Sequence, residues 1–187
     1  MAGGGIFVYV SNMDSREIVV LRLDSKSGEL TLCQQVFVSG KVMPMTVSPD
    51  RRFIYAALRS EPYSVASFAI DPWNGKLTHL ANAPLPDSMP YISTDRTGRF
   101  LFGASIPEDP TEPRNSLISV SPIGLHGFVQ PPHQIIRTAP KMHAILPDPS
   151  NRYVFATSPT FSTGWGNRAG RRIDRSARIK GLHYKWA

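Results

Sequence analysis

Four short segments that each begin with an aromatic residue and continue with β-prone apolar residues recur along this chain of 187 residues. The leading aromatics are Phe7, Phe53, Phe100 and Tyr153, at intervals of 46, 47 and 53 residues. Such segments are typical of buried β-strands. A nearly constant interval of this size predicts a repeat architecture, in which each unit is one supersecondary element that stacks on its neighbours.

Further strands and turns are predicted at matching places in each interval. Turns rich in Pro, Asp, Ser, Asn and Gly precede the last three aromatics, at 48–52, 93–99 and 148–152. The strands expected after the aromatic segments are Ile18–Leu23, Val65–Ile70 and Leu117–Val120, then Thr31–Val38, Thr78–Ala83 and His133–Thr138, then Met43–Val47, Met89–Ser93 and Met142–Leu146. Gly28 and Gly75 are expected to supply the positive φ that two of the hairpins need.

Four short strands in a period of about 47 residues are the content of one β-propeller blade. We therefore expect an all-β fold in which residues 1–160 form a partial propeller, with about three blades and the start of a fourth. The longer third interval is explained by a Pro-rich surface insertion at 107–114. A β-sandwich is the rival architecture, but it does not explain the recurring unit of turn and aromatic.

The net charge of +7 is concentrated at one end of the chain. Residues 161–187 carry seven basic residues and one acidic residue, whereas residues 1–160 carry fourteen and thirteen. The globular part is therefore nearly neutral, and a nucleic-acid partner is not expected. The basic tail is predicted to be disordered or non-native, with a nucleic-acid arm or a membrane-surface segment as the alternatives.

Other features of the sequence argue against a membrane protein, a disulfide-linked protein and a secreted protein. The sequence contains no run of about 18 apolar residues, so no membrane span is expected. Cys33 is the single cysteine, which excludes an intrachain disulfide and a cysteine-based metal site, and it is expected to be a buried strand residue. The first residues lack the basic and apolar regions of a signal peptide, so the cytoplasm is the expected compartment.

Three stretches resemble the lactonase-type β-propellers, a family that includes bacterial 6-phosphogluconolactonases and fungal carboxymuconate cycloisomerases. They read SGKVMPMTVSPDRRFIY at 39–55, ISTDRTGRF at 92–100 and PKMHAILPDPSNRY at 140–153. The likeness covers residues 6 to about 158 and stops abruptly after Ser158. The family implies seven blades in roughly twice this length, so the chain is expected to be a truncated form with an incomplete ring.

The strand before each turn is the candidate for the innermost strand, which lines the central channel of a propeller. Counting seven residues back from Asp50, Asp95 and Ser150 gives Met43, Ser88 and His143. His143 is the one titratable member, and the resemblance implies a His of this strand at the active site. A neutral imidazole would act there as general base on the water that attacks a lactone. A structural His bonded to backbone at a blade junction is the alternative.

Two basic residues are candidates for binding the substrate. Arg59 follows the strand that begins at Phe53, where members of the family also carry an Arg, and its guanidinium suits a phosphate or carboxylate. A solvated residue at the rim is the alternative. Lys141 lies two residues before His143 and is predicted on the same strand face, either near an anionic ligand or towards solvent. The other histidines are expected at the surface: His79, His126, His133 and His183.

The resemblance implies a lactonase-type hydrolase that opens a sugar lactone such as 6-phosphogluconolactone, a step of the pentose phosphate pathway. The expected partner is a small anionic sugar lactone, with no metal, no cofactor, no nucleic acid and no membrane. A cycloisomerase of the same family, a non-catalytic binding propeller and an inactive fragment are the alternatives. The residues do not separate lactonase from cycloisomerase, and they predict no oligomeric state.

Overall fold

The computed structural model describes residues 5–106, 115–138 and 140–158, and these residues form thirteen β-strands and no helix. The strands are β1 Ile6–Asn12, β2 Glu17–Leu23, β3 Leu30–Phe37, β4 Val42–Val47, β5 Phe53–Leu58, β6 Ser64–Ile70, β7 Leu77–Pro84, β8 Tyr91–Thr94, β9 Phe100–Ala104, β10 Leu117–Pro122, β11 Gln134–Arg137, β12 Ala144–Pro147 and β13 Val154–Thr157. The all-β prediction is confirmed. The predicted insertion at 107–114 and the basic tail at 161–187 lie outside the described residues.

The strands form four antiparallel sheets in chain order: β1-β2-β3, β4-β5-β6-β7, β8-β9-β10-β11 and β12-β13. The strand before each turn belongs to the sheet that follows it, since β4 pairs with β5, β8 with β9 and β12 with β13. The strands β1, β4, β8 and β12 of successive sheets contact one another. They therefore stand side by side around a common axis, with β4, β8 and β12 as the innermost strands of their sheets, whereas β1, which carries the leading aromatic Phe7, corresponds to β5 and β9.

The described sheets agree with the predicted three blades and the start of a fourth. Two sheets have all four strands, and they are flanked by a first sheet of three strands and a fourth sheet of two. The predicted innermost strands Met89–Ser93 and Met142–Leu146 begin two residues later, at Tyr91 and Ala144. Pro90 immediately precedes β8, and a proline has no N–H to donate to a strand ladder.

One hydrogen-bonded turn is repeated in the second, third and fourth sheets. In each turn, the side chain of the first residue accepts a bond from the backbone N–H of the aromatic residue five positions later. The pairs are Ser48 with Phe53 at 3.0 Å, Asp95 with Phe100 at 2.8 Å, and Asp148 with Tyr153 at 2.9 Å. In each of the three turns, the residue three positions after the first one has positive φ; these residues are Arg51, Gly98 and Asn151. Ser48, Asp95 and Asp148 are therefore structurally equivalent.

The strands in the middle of the second sheet are buried on both faces. Along β5, Ile54 and Ala56 belong to the apolar cluster shared with the first sheet, whereas Tyr55 and Ala57 belong to the cluster shared with the third sheet. Successive side chains of a strand point to opposite faces, which explains a continuous apolar run without alternation. Cys33 lies on β3 beside the first cluster and is half-buried, so only its position in a strand was predicted correctly.

The recurring aromatic residue packs onto the hairpin glycine of the next sheet. A Cβ atom on Gly75 would lie 2.3 Å from Cγ of Phe7, and one on Gly127 would lie 2.1 Å from Cε1 of Phe53. Both glycines have positive φ, 70° and 79°, and the hydroxyl of Tyr9 donates to the carbonyl of Gly75 at 2.8 Å. Phe7 and Phe53 therefore form part of the contact between one sheet and the next.

A buried carboxylate joins the third and fourth sheets. Asp95 is 1% exposed, and it accepts hydrogen bonds from the N–H of Phe100 and Thr97 and from Nδ2 of Asn151 at 3.1 Å. Burial raises its pKa, but the bonds from Thr97, Phe100 and Asn151 outweigh burial, so the pKa lies below the ordinary value for Asp. The turn of the third sheet is thus bonded to the turn of the fourth sheet through a charged group.

Replacing Gly75 by alanine should destabilise the chain more than replacing Gly28. Gly28 also has positive φ, but a Cβ there would meet nothing within 4 Å. We expect Gly28→Ala to lower the free energy of unfolding by about 1 kcal/mol, through backbone strain alone. Gly75→Ala should lower it by about 2 to 4 kcal/mol, because the ring of Phe7 must also move. Urea unfolding of both variants measures the difference, and equal losses would contradict the aromatic contact.

The free energy of unfolding should fall in acid through the turn carboxylates. Hydrogen bonds from Ser150 and Tyr153 lower the pKa of Asp148 to about 2, and the pKa of Asp95 is also lowered. A group whose pKa is depressed on folding stabilises the fold fully above its unfolded pKa, about 3.9 for Asp, and the stabilisation is lost as the pH falls through the folded pKa.

The variant Asp95→Asn should lower the free energy of unfolding at neutral pH by about 1 to 3 kcal/mol, because it removes a charged acceptor. It should also flatten the decline in stability between about pH 5 and pH 3. Urea unfolding at several pH values measures both effects. Asp14→Asn, at an exposed position, is the control. An unaltered pH profile in Asp95→Asn would show that this carboxylate does not hold the two turns together.

Candidate functional site

The predicted site residues lie at one end of the sheets, where the innermost strands begin. Arg59 directly follows β5, whose last residue Leu58 pairs with Val42 at the start of β4. His143 directly precedes β12, and its backbone N–H donates to the carbonyl oxygen of Thr157 at the end of β13, at 2.9 Å. The repeated turns lie at the opposite end of the same strands. The fold therefore brings these residues of different sheets to one end, which we call the channel mouth.

Arg59 bridges the second and third sheets at the channel mouth. Its Nε donates to Oγ of Ser88 at 2.8 Å, and its Nη1 lies 2.8 Å from Sδ of Met43. Its backbone N–H donates to the carbonyl of Lys41 at 2.7 Å. The first sheet reaches the same place, since Oγ of Ser11 donates to the carbonyl of Met43 at 2.7 Å. Arg59 is half-buried and held by side chains, unlike the solvated rim residue that was the alternative.

His143 and Lys141 are both exposed at this end. Lys141 has a φ of 61°, in the left-handed region, and neither residue belongs to β12. The alternation of side chains along a strand, on which the prediction of a shared face rested, therefore does not set their directions. Their proposed roles as base and anion ligand depend on their place at the channel mouth and not on strand geometry.

The predicted set of equivalent positions Met43, Ser88 and His143 is wrong at its second member. It matched Asp95 to Asp50 by residue type, whereas the turn hydrogen bonds make Asp95 equivalent to Ser48. In the observed register, one position holds Met43, Pro90 and His143, and the position two residues earlier holds Lys41, Ser88 and Lys141. Parallel backbone bonds support this register, from Arg59 to Lys41 and from Ile106 to Ser88.

Two residues at the channel mouth were given no part in ligand binding by the sequence interpretation. Ser88 is completely buried and bonded to Arg59, and no sequence signal links the two. Lys41 is exposed and occupies the same position of the repeat as Lys141, so the corrected alignment would have found it. Beside the innermost strands, the channel mouth thus carries the cationic side chains of Arg59, Lys41 and Lys141 and the imidazole of His143, with the carboxylate of Asp87 accepting the N–H of Ser88 at 2.7 Å.

The combination of cations and an imidazole suits a small anionic ligand that undergoes proton transfer. Guanidinium and ammonium groups bind phosphate and carboxylate, and histidine takes up and releases protons near neutral pH. Within the described ranges, no group of three or more His, Cys, Asp or Glu is placed to hold a metal ion. His79, His126 and His133 are exposed there, and His183 lies outside these ranges.

A large groove lies at the other end, between the first and second sheets. Its volume is about 1150 Å³, and its lining includes Phe7, Tyr9, Asp50 and Arg52. It follows the junction where Phe7 packs on the next hairpin, and it contains none of the predicted site residues. The part of the chain that the structure describes contains no helix long and apolar enough to cross a membrane.

The successive four-stranded sheets around one axis define the chain as part of a β-propeller. The chain belongs to the lactonase, seven-bladed β-propeller family, whose model matches residues 7–158. The resemblance inferred from the three stretches is therefore confirmed, and the matched region contains Arg59, Lys141 and His143.

Curated relatives carry a specific name. The chain is 43% identical over 145 residues to the 6-phosphogluconolactonases of Yersinia pestis and Yersinia pseudotuberculosis. The match covers 78% of this chain and 40% of each relative, so the chain spans about two fifths of their length.

Solved structures agree on the fold. The periplasmic gluconolactonase of Pseudomonas aeruginosa has a TM-score of 0.69 at 21% identity, with 82% of this chain and 47% of that chain covered. A protein of Bacteroides fragilis has a TM-score of 0.71 at 20% identity, with 84% and 46% covered.

Proposed function

We propose that this chain supplies part of the active site of a lactone hydrolase, which opens a sugar lactone such as 6-phosphogluconolactone to its acid. The observation that carries the proposal is the 43% identity over 145 residues to proteins named 6-phosphogluconolactonase. It is supported by a channel mouth that carries three cationic side chains and a histidine within the family match.

His143 acts as the general base in the proposed reaction. Its backbone is anchored to Thr157, and its side chain is exposed at the channel mouth, where a ligand and water can reach it. The imidazole takes a proton from a water molecule as the oxygen of that water attacks the lactone carbonyl carbon. The tetrahedral intermediate then breaks the ring C–O bond, and the imidazolium returns the proton to the leaving alkoxide oxygen. The products are one carboxylic acid group and one hydroxyl group on the same molecule.

Arg59 and Lys141 bind the anionic part of the substrate in this proposal. The guanidinium of Arg59 is held in place by Ser88 and Met43, so little freedom is lost when an anion binds. The exposed ammonium groups of Lys141 and Lys41 add positive charge at the same end. A small anionic sugar lactone of the pentose phosphate pathway fits this chemistry, and a cytoplasmic location goes with that substrate.

Replacing His143 should remove most of the hydrolysis. We expect His143→Gln to lower the rate of 6-phosphogluconolactone opening by about 100-fold or more, because general base catalysis contributes at least that factor. His126→Gln, an exposed histidine in a hairpin at the opposite end, is the matched control and should retain the rate. Initial rates above spontaneous opening are measured on the purified chain, together with binding of the product 6-phosphogluconate by calorimetry. A rate in His143→Gln equal to that of the unmodified chain would overturn the role of His143, and a folded chain that does not bind 6-phosphogluconate would overturn the proposal.

Replacing the cationic residues should weaken anion binding. We expect Arg59→Gln to raise the Kd for 6-phosphogluconate by about tenfold or more, because it removes a hydrogen bond from a charged group. Lys141→Gln should raise this Kd less. Arg22→Gln, an exposed position of β2 near the opposite end, controls for net charge. Binding of unphosphorylated gluconate should change less than binding of 6-phosphogluconate. Equal effects of Arg22→Gln and Arg59→Gln would mean that only overall charge attracts the ligand.

A further inference from the structure

The channel mouth departs from the repeat at two positions that contact each other. The equivalent positions of three successive sheets hold Lys41, Ser88 and Lys141, and the position of Arg59 in the next sheet holds Ile106. The backbone hydrogen bonds at these places are the same, from Arg59 to Lys41 at 2.7 Å and from Ile106 to Ser88 at 3.1 Å. The repeating fold therefore requires these backbone hydrogen bonds, but it does not require an Arg or a Ser side chain at either position.

The contact between the two departures crosses the junction between sheets. Arg59 leaves the second sheet at the end of β5, and its Nε donates to Oγ of Ser88, which precedes β8 of the third sheet, at 2.8 Å. Ser88 is completely buried, and a serine has a short side chain, so its hydroxyl oxygen is held in one place. The contact of Nη1 with Sδ of Met43 fixes a second point of the same planar group. Together with the covalent attachment at Cδ, these two contacts determine the orientation of the planar guanidinium.

We propose that Ser88 is a positioning residue, whose buried hydroxyl orients the guanidinium of Arg59 to receive the phosphate of a phosphorylated sugar lactone or of its acid. This proposal rests on the proposed function, because it takes Arg59 as the anion ligand. A long Arg side chain loses conformational freedom when it binds, and a side chain that is already oriented loses less. Ser88 therefore acts on the affinity for the phosphorylated ligand, through Arg59, and touches no reacting atom.

The test compares Ser88→Ala with Ser121→Ala in the complete chain. Ser121 is as deeply buried, and its Oγ has no hydrogen-bond partner among the described residues, so it controls for loss of a buried hydroxyl. One readout is the ¹H–¹⁵N signal of Arg59 Nε–H, assigned by its disappearance in Arg59→Lys. The other is the Kd for 6-phosphogluconate and for gluconate, measured by calorimetry. Thermal unfolding shows that each variant is folded.

We expect Ser88→Ala to shift the Arg59 Nε–H signal, to speed its exchange with water and to raise the Kd for 6-phosphogluconate by about three- to tenfold. The Kd for gluconate should stay close to that of the unmodified chain, and Ser121→Ala should change neither readout. A role in stability alone would raise both Kd values together, and that result would overturn the proposal.

The two proposals can fail separately. If Arg59→Gln weakens binding of 6-phosphogluconate while Ser88→Ala alters neither the Nε–H signal nor the affinity, the positioning role is overturned and Arg59 remains the anion ligand. If Arg59→Gln leaves the affinity unchanged, the role of Arg59 is overturned, and the role of Ser88 with it.

Discussion

Burial of both faces of the second and third sheets against neighbouring sheets is the constraint on which this structure depends. A single four-stranded sheet of this chain cannot cover its own apolar side chains, since Ile54 and Tyr55 point to opposite faces and both are buried. Each junction is formed by alternate residues of adjacent sheets, and the leading aromatic of one sheet rests on a hairpin glycine of the next. This stacking explains the repeat in the sequence, because each repeat unit must supply the same kind of contacts to the next unit.

The fold was largely predictable because its signals are local and recur. The interval between aromatics, the glycines at hairpins and the turn residues each mark a feature of one sheet, and they agree with one another. The register of the turns was less predictable. A serine hydroxyl in one turn and an aspartate carboxylate in two others accept the same backbone bond, so alignment by residue type matched Asp95 to the wrong residue. That error displaced Ser88 by two positions and concealed the equivalence of Lys41 and Lys141.

The candidate site was predictable only in part, since its contacts are not local. Arg59 and His143 were found through a resemblance, and the fold brings them to one end of the sheets. The bond between Arg59 and Ser88 joins residues 29 positions apart in different sheets, and no periodicity reports such a pair. Repeats predict what every blade has in common, whereas a binding site is built from residues in which the blades differ. The end with the turns is uniform in its bonding, and the other end holds Lys, Ser, Arg and Ile in corresponding places.

The junction between the second and third sheets is fastened at both of its ends. Phe53 lies against Gly127 at the turn end, with Oγ of Ser67 accepting the N–H of Val129 at 3.0 Å beside it, and Arg59 meets Ser88 at the channel mouth. Arg59, the proposed anion ligand, thus belongs to the same junction between sheets that the ring of Phe53 closes at its other end. If binding of an anion at Arg59 stabilises this junction, then by thermodynamic linkage a more stable junction also raises the affinity for the anion by the same factor.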